Sequence, residues 1–435
     1  MTATRTGNRE QLSGVRPPDT HSAVPEAFLM QPSGKIVIAS QHYPPDQSTT
    51  ASIMSTIACR LALNNEVVVL SGTPSPASAN CAGPSQPIIV TIKNWMPGKA
   101  PLIRRALAEL LFALRIFFSL LKRLRRGDVV LTVTAPFVLP YAVTAAASLR
   151  RARSALIMHD LFPDVLVTAG LLKPRSIVAR AMRGANALMF RGLSAVITIG
   201  RDAEALLLRY RGMTRDKIRF IPNWATLAPA VRPVRADNPY RRAFSARFVV
   251  GLSGNLGFTH DPEIVFEAAR LLRGQTDIHF LLSGWGVGFA RLQRLQSEAN
   301  LPNVGLVERV GDGNLEQFLS AADVWIIPYR KNVAGVSVPS RFYNLLAVGR
   351  PVVLVSEPEA EAALTVAENG LGWVVAPGQP DELAKAVLAA SLSADSSMAE
   401  RAVAVAAKFD LDSAMTGYAG LIQELLRSSN TTGQS

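Results

Sequence analysis

Four short stretches of the chain carry residue types that could do chemistry. An apolar, β-branched run ends in Ser253-Gly254-Asn255-Leu256-Gly257, with His260 next and a helical stretch opening near Asp261-Pro262. Glycines between a strand and a helix let backbone amides approach a phosphate, and the helix N-terminus favours its charge. The arrangement recurs in LLSGWGVG, where Gly284, Gly286 and Gly288 follow an apolar run. Tight strand–helix turns need glycine for steric reasons anyway, so each loop alone says little and the two together point to a nucleotide. No Gly-Lys-Ser/Thr follows either, so neither is a Walker loop.

The third stretch is VPSRFYNLLAVGRPVV, Val338–Val353. A helix would enter at Ser340, in the N-cap position, and stop at Gly349 before a Pro-led strand. Ser340 and the first-turn amides suit a diphosphate, with Arg341 supplying a forked cation; the pattern equally suits a plain capped core helix. The fourth is His159-Asp160 after the apolar run SALIM. A carboxylate there suits a general base or an acceptor for a hydroxyl, and equally a cap for the next helix.

Those loops need a scaffold, and the chain supplies a repeating one. Apolar β-branched runs recur with helical stretches between them: KIVIAS, EVVVLSG, DVVLTVT, SALIMHD and SAVITIG, then RFVVGLSGN, IHFLLSG, DVWIIPY and RPVVLVS. Strands alternating with crossover helices predict an α/β architecture with parallel sheets, whose ligand lies at the carboxyl ends of the strands. The expected division is a disordered tail over 1–33, a first Rossmann-like domain over 34–222, a proline-rich linker over 223–244, a second domain over 245–410, and a C-terminal helix and tail over 411–435. Val129–Leu149 is 21 residues without a charge, yet Pro136 and Pro140 divide it into a β-branched segment and an Ala-rich one. That pattern predicts a strand, a turn and a helix rather than a membrane span.

Of the 435 residues, 49% are hydrophobic and 18% charged, which excludes a largely disordered chain. Cys59 and Cys81 cannot form a disulfide framework; both are expected as ordinary thiols in a reducing cytoplasm. The net charge of +13 is uneven: 28 Lys/Arg face 12 Asp/Glu over 1–222, and 18 face 21 over 223–435. The basic half therefore faces an anionic partner, such as a membrane, a nucleic acid or a phosphorylated substrate.

Much of that charge lies in Lys99–Arg126, with eight Lys/Arg and one acid. Helical spacing puts Ile103, Leu107, Leu110, Leu114, Phe117 and Leu121 on one face, expected to be the core stripe. Arg104, Arg115, Lys122 and Arg126 fall on another, flanked by Phe112, Ile116 and Phe118. Cations bordered by aromatics suit an anionic membrane interface, and an ordinary packed helix with a solvated rim is the alternative.

The Val338–Val353 motif, with SGNLG upstream and ENGLGWVVAPGQPDELAKAV downstream, resembles the donor domain of the family 4 (group 1) retaining glycosyltransferases. IVIASQHYPPD, IMHDLFPD, SAVITIG and KIRFIPNW agree in the first half, so the resemblance spans about residues 35–425, closest to bacterial enzymes of O-antigen, colanic-acid and exopolysaccharide synthesis. It implies the GT-B fold, two Rossmann-like domains facing across a cleft. It implies a nucleotide-sugar donor, UDP-linked, held in the second domain by Gly254, Asn255, Gly257, His260, Gly284, Gly286, Ser340, Arg341 and Asn344. It implies catalytic roles for His159 and Asp160, no metal or other cofactor, and no nucleic acid. The acceptor would be a polyprenyl diphosphate-linked sugar, met at the inner face of the cytoplasmic membrane. The chain departs from the family's Glu-x7-Glu pattern at Val336 and Asn344, and Asn255 and His260 stand where an Arg and a Lys commonly hold the diphosphate. Those departures keep two other readings open: a GT-B-fold sugar-nucleotide epimerase and a non-catalytic membrane-associated scaffold.

Overall fold

The computed structural model describes residues 34–73, 85–95, 102–242, 244, 247–393 and 395–431. The expected tail over 1–33 lies outside them, and the described chain belongs to one compact unit. Its first sheet contains β1 (Ile36–Ser40), β2 (Val67–Ser71), β3 (Ile88–Thr91), β4 (Val129–Val133), β5 (Arg153–Met158), β6 (Ala195–Thr198) and β7 (Ile218–Phe220). They pair in the order β3-β2-β1-β4-β5-β6-β7. The second contains β8 (Phe248–Leu252), β9 (Ile278–Ser283), β10 (Val304–Val307), β11 (Val324–Pro328), β12 (Val352–Val355) and β13 (Gly372–Val375). Its order is β10-β9-β8-β11-β12-β13. Every pairing is parallel, with Ile38 opposite Leu131 in one sheet and Ile326 opposite Leu252 in the other. Both orders reverse beside the first strand of the sheet, which is where doubly wound sheets open a crevice for ligands.

The helices of the first half are α1 (Thr49–Ala62), α2 (Leu102–Arg123), α3 (Leu139–Arg150), α4 (Asp164–Thr168), α5 (Ile177–Gly192) and α6 (Ala203–Leu207). In the second half come α7 (Pro262–Leu271), α8 (Val287–Ala299), α9 (Leu315–Leu319), α10 (Arg341–Ala347), α11 (Glu361–Asn369), α12 (Pro380–Leu392), α13 (Met398–Ala406) and α14 (Leu411–Thr431). Val129–Leu149 folds as β4, a turn and α3, as its prolines predict. Central strands such as VVVLS and VVLTV are buried on both faces, the usual fate of β-branched runs in parallel sheets. The last helix returns to the first sheet: Met415, Tyr418, Ile422 and Leu426 pack with Ile36, Ile38 and Leu131. Asp410 caps it through the amide of Ser413 at 2.6 Å, and Asp412 pairs with Arg60 at 3.0 Å.

Helix α2 is turned from its expected orientation: of the expected stripe, Phe117 and Leu121 pack half-buried against the core, but the main contact is made by other residues. Phe112, Ile116, Leu120 and Leu124 are fully buried against Val37, Val68 and Val130, each worth about 1.5–3 kcal/mol. Leu107, Leu110, Leu114 and Phe118 are 45–59% exposed. The helix carries two apolar stripes, and the sheet takes the one whose residues recur every fourth position. Arg104, Lys122 and Arg126 are exposed as expected, but Arg115 donates to the Lys93 carbonyl at 2.8 Å. Ile103 lies outside the described side chains. No helix among the described residues is long and apolar enough to cross a membrane. Cys59 is disulfide-bonded, contrary to the expectation of two ordinary thiols, because spacing in sequence does not reveal which sulfurs approach in space; Cys81 lies outside the described residues.

Candidate functional site

The carboxyl end of β8 turns into the Ser253–Gly257 loop, and Arg341, the first residue of α10, packs directly on it. A Cβ added to Gly254 would sit 1.6 Å from the Arg341 guanidinium, so only glycine fits there, and its φ of +111° asks for glycine as well. Gly284 is required for a different reason: its Cβ would lie 2.4 Å from the Gly254 carbonyl. The two glycine loops hold each other by backbone bonds, Leu256 N to the Trp285 carbonyl at 2.9 Å and Trp285 N to the Gly254 carbonyl at 3.1 Å. Asn255 and Gly286 are exposed at this rim, and Gly257 has room for a side chain.

Arg341 Nη1 is shut off from solvent and has no hydrogen-bond partner. Burial lowers the guanidinium pKa to about 10, which still leaves it charged at neutral pH. A buried cation without a counter-charge is costly, and an anion in the cleft would remove that cost. Around it lie His260 and Tyr329, whose rings are 5.0 Å apart and whose backbones bridge. His260 Nε2 and the Tyr329 hydroxyl are buried without partners too. Burial, then the charges of Arg341 and Arg330, pushes the His260 pKa down to about 3, so its ring is neutral. Burial and the nearby Asp160 hold the Tyr329 hydroxyl well above its ordinary value, leaving a proton to donate.

The opposite wall comes from the carboxyl end of β5. The amides of His159 and Asp160 both donate to Thr134 Oγ1 at 3.2 Å, which fixes the loop to the end of β4. Asp160 forms a backbone bridge with Ser337, and Leu161 N donates to the Val336 carbonyl at 3.2 Å, so this loop touches the second domain. His159 Nε2 is buried without a partner, and burial lowers its pKa to about 4. Burial raises the Asp160 carboxyl, partly offset by a hydrogen bond from Ser337. Arg341 thus stands beside Gly254, His260 and Tyr329, with the Asp160 carboxyl near enough to act on Tyr329.

Asn344 is tied to the linker: its carbonyl oxygen accepts from Thr226 N at 2.7 Å and Leu227 N at 3.2 Å, and its amide donates to Thr226 Oγ1 at 2.9 Å. The linker occupies it at both ends. Ser340 holds the N-cap position of α10, but its backbone is helical and its side chain makes no capping bond, so the hydroxyl is not spent on the helix.

A third cluster is absent from the sequence reading. Arg201 Nε and Nη2 grip both oxygens of Glu361 at 3.0–3.1 Å, and Nη1 reaches Glu368 at 3.1 Å. Asp202 Oδ2 accepts from the amides of Gly335 at 2.7 Å and Glu361 at 3.0 Å. Thr168 Oγ1 adds a bond to the Asn332 carbonyl at 2.9 Å. Thr168 and Asp202 thus hold the first domain on the loop at Asn332 and Gly335, and Arg201 and Asp202 hold it on α11. The Arg-Asp pair after the strand SAVITIG was the available signal, since charges at the carboxyl end of a parallel strand face the cleft. Arg201→Ala leaves the nearly buried Glu361 without its counter-charge, with bonds only from the residue-201 amide and Thr365 Oγ1, while the exposure of Arg201 limits the loss to about 1–2 kcal/mol. Amide hydrogen exchange at 361–369 is therefore expected to speed up roughly 5–30-fold; an unchanged rate would show that the grip does not hold α11.

The family model described as "Glycosyl transferases group 1" matches residues 247–391, and that described as "Glycosyl transferase 4-like domain" matches 49–224. Among curated proteins, the chain is 29% identical over 291 residues to a probable glycosyltransferase, WbjE, of Pseudomonas aeruginosa, covering 66% of this chain and 72% of that one. It is 25% identical over 274 residues to the putative colanic acid biosynthesis glycosyl transferase WcaI of Escherichia coli K12, covering 61% and 67%. Among solved structures, Anabaena HepE in complex with UDP superposes with a TM-score of 0.64 at 16% identity, over 90% of this chain and all of that one. Two parallel sheets with helices and both matched domains agree: the chain belongs to the group 1 glycosyltransferases and has the GT-B fold.

Proposed function

We propose that the enzyme moves a sugar, with retention, from a UDP-linked donor to a polyprenyl diphosphate-linked saccharide in bacterial surface-polysaccharide synthesis. The unpartnered, buried Arg341 carries this reading. A nucleoside diphosphate laid against Gly254 would supply the missing counter-charge, and its negative charge grows as the glycosidic bond breaks. Stabilising that charge by a fixed cation and backbone amides is the largest expected catalytic contribution. Neutral His159 and protonated Tyr329 suit hydrogen bonds to sugar hydroxyls, and Asp160 suits the acceptor hydroxyl that loses its proton. The names of WbjE and WcaI, and the UDP and UDP-glucose bound by HepE, support the donor class and the pathway. Incubation with UDP-sugars and a polyprenyl diphosphate-linked saccharide tests the reading. The transferase consumes both; UDP-sugar turnover without a glycosylated lipid product would refute it.

The same reading places the enzyme on an anionic inner-membrane surface through α2. Its outward stripe of Leu107, Leu110, Leu114 and Phe118 lies between Arg104 at one end and Lys122 at the other, the pattern of an interfacial helix. Each exposed cation near acidic lipid is worth about 1 kcal/mol, so Arg104→Gln with Lys122→Gln should weaken binding to phosphatidylglycerol vesicles roughly thirtyfold. Raised salt should mimic the change, because the attraction is screened within about 10 Å at 0.1 M. Equal sedimentation of parent and variant with the vesicles would remove α2 from the interface.

A further inference from the structure

The loop that carries Asp160 is pinned to the first domain at three points. Thr134 Oγ1 takes the amides of His159 and Asp160. Two residues beyond Asp160, the Phe162 carbonyl accepts from the Asn186 side chain at 2.5 Å. Further on, Tyr210 donates to one Asp164 oxygen at 3.2 Å and Arg183 to the other at 2.9 Å.

The middle pin is an amide where an apolar residue would be expected. Asn186 lies on α5, 3% exposed, beside a small cavity it shares with Leu156, Met158, Leu161, Met189 and Phe190. A buried amide is costly unless its groups are bonded, and a leucine there would join the apolar cluster without that requirement. Both ends of Asn186 are bonded. Its oxygen accepts from the Tyr141 hydroxyl at 2.5 Å, so a side chain on α3 fixes which way the amide points. Its nitrogen faces the Phe162 carbonyl and, at 3.5 Å, the Tyr210 hydroxyl, which joins the second pin to the third.

Packing alone does not set the height of this loop. The cavity behind it measures about 20 Å³, and Thr134, Tyr141, Asp160 and Phe162 line it as well. In a close-packed interior such a gap leaves the chain room to shift, so the bonds from Thr134 and Asn186 decide where the Asp160 carboxyl stands relative to Tyr329 and Ser337. We propose that Asn186 is a positioning residue for sugar transfer: oriented by Tyr141 and acting through the Phe162 carbonyl, it holds Asp160 where the acceptor hydroxyl meets it. The proposal rests on the transferase reading and on the base role of Asp160 given above, and it adds to them a residue buried behind the cleft.

Two substitutions test it. Asn186→Leu keeps the branched shape and removes both bonds; Tyr141→Phe removes only the bond that orients the amide. Parent and variants are compared on the pair of UDP-sugar and polyprenyl diphosphate-linked saccharide that the parent turns over, across pH, with UDP affinity measured by calorimetry and the fold by thermal unfolding. Turnover is expected to fall roughly 10–100-fold in Asn186→Leu and by less in Tyr141→Phe, with UDP affinity within about twofold of the parent's. The acid limb of the pH profile should be displaced in both, because burial and the Ser337 bond that set it depend on where the carboxyl stands. A lowered melting temperature with parental turnover and an unmoved limb makes Asn186 a packing residue and overturns the proposal. A fall in UDP affinity as large as the fall in turnover spreads the effect over the whole cleft and also overturns it. Should Asn186→Leu not fold, Tyr141→Phe decides alone by the same criteria. A parent that turns over no such pair refutes the transferase reading itself, and the positioning role goes with it.

Discussion

Asp160→Asn is expected to lower turnover by roughly 10²–10⁴-fold while donor affinity moves little, the range for removal of a positioned acid–base group. The substitution keeps the shape of the side chain and the backbone bonds of the loop to Thr134 and Ser337, so the cleft should remain assembled. It removes the carboxylate that acts most strongly on Tyr329, ahead of Asp202. The pH profile gives a second readout. Burial holds the Asp160 carboxyl above its ordinary value, so it stays protonated to a higher pH than a surface aspartate. A base is inactive while protonated, so activity should rise with pH through that raised pKa, and the asparagine variant should lose this acid limb. His159, its pKa lowered to about 4 by burial, is already neutral above that pH and adds nothing to the limb there. His159→Ala should therefore lower turnover with the limb intact. Parental turnover in both variants would make the loop a structural connection between domains.

The two sheets were legible because each central strand is a short β-branched run bounded by turn residues, and both faces of a parallel sheet demand such runs. The glycine loops and Arg341 were legible because strand–turn–helix order places them at the carboxyl ends of strands. What periodicity could not decide was which apolar stripe of α2 enters the core. Leu107, Leu114 and Phe118 are as apolar as Phe112, Ile116 and Leu120, and only the position of the sheet distinguishes them. The partners of Asn344 were hidden for a related reason: its place in a motif is local, whereas Thr226 and Leu227 are 118 and 117 residues away in sequence. Arg201 and Glu361 are 160 residues apart, and nothing in either neighbourhood announces the other. The return of α14 to the first sheet is likewise a choice between two apolar surfaces that only the assembled domains offer.

Arg341→Ala should weaken nucleotide-sugar binding by about 1.5–3 kcal/mol, roughly 10–150-fold, the usual loss for a charge-assisted contact. Arg341 Nη1 is buried against Gly254 with no partner. Without ligand that charge is a liability, so its removal should leave the melting temperature of the free enzyme little changed, the loss of packing being offset by relief of an unpaired cation. With UDP present the comparison should reverse, because ligand binding stabilises the parent in proportion to its affinity and the variant has little affinity left. Arg341→Lys separates charge from geometry. A lysine keeps a positive point charge but loses the planar fork that lies against Gly254 and can engage two phosphate oxygens at once. Its donor affinity should fall between those of parent and alanine variant. Calorimetric titration of all three with UDP, alongside thermal unfolding with and without it, checks the argument. Equal UDP affinity in parent and alanine variant would remove Arg341 from the donor site and leave its buried charge to be explained by another anion.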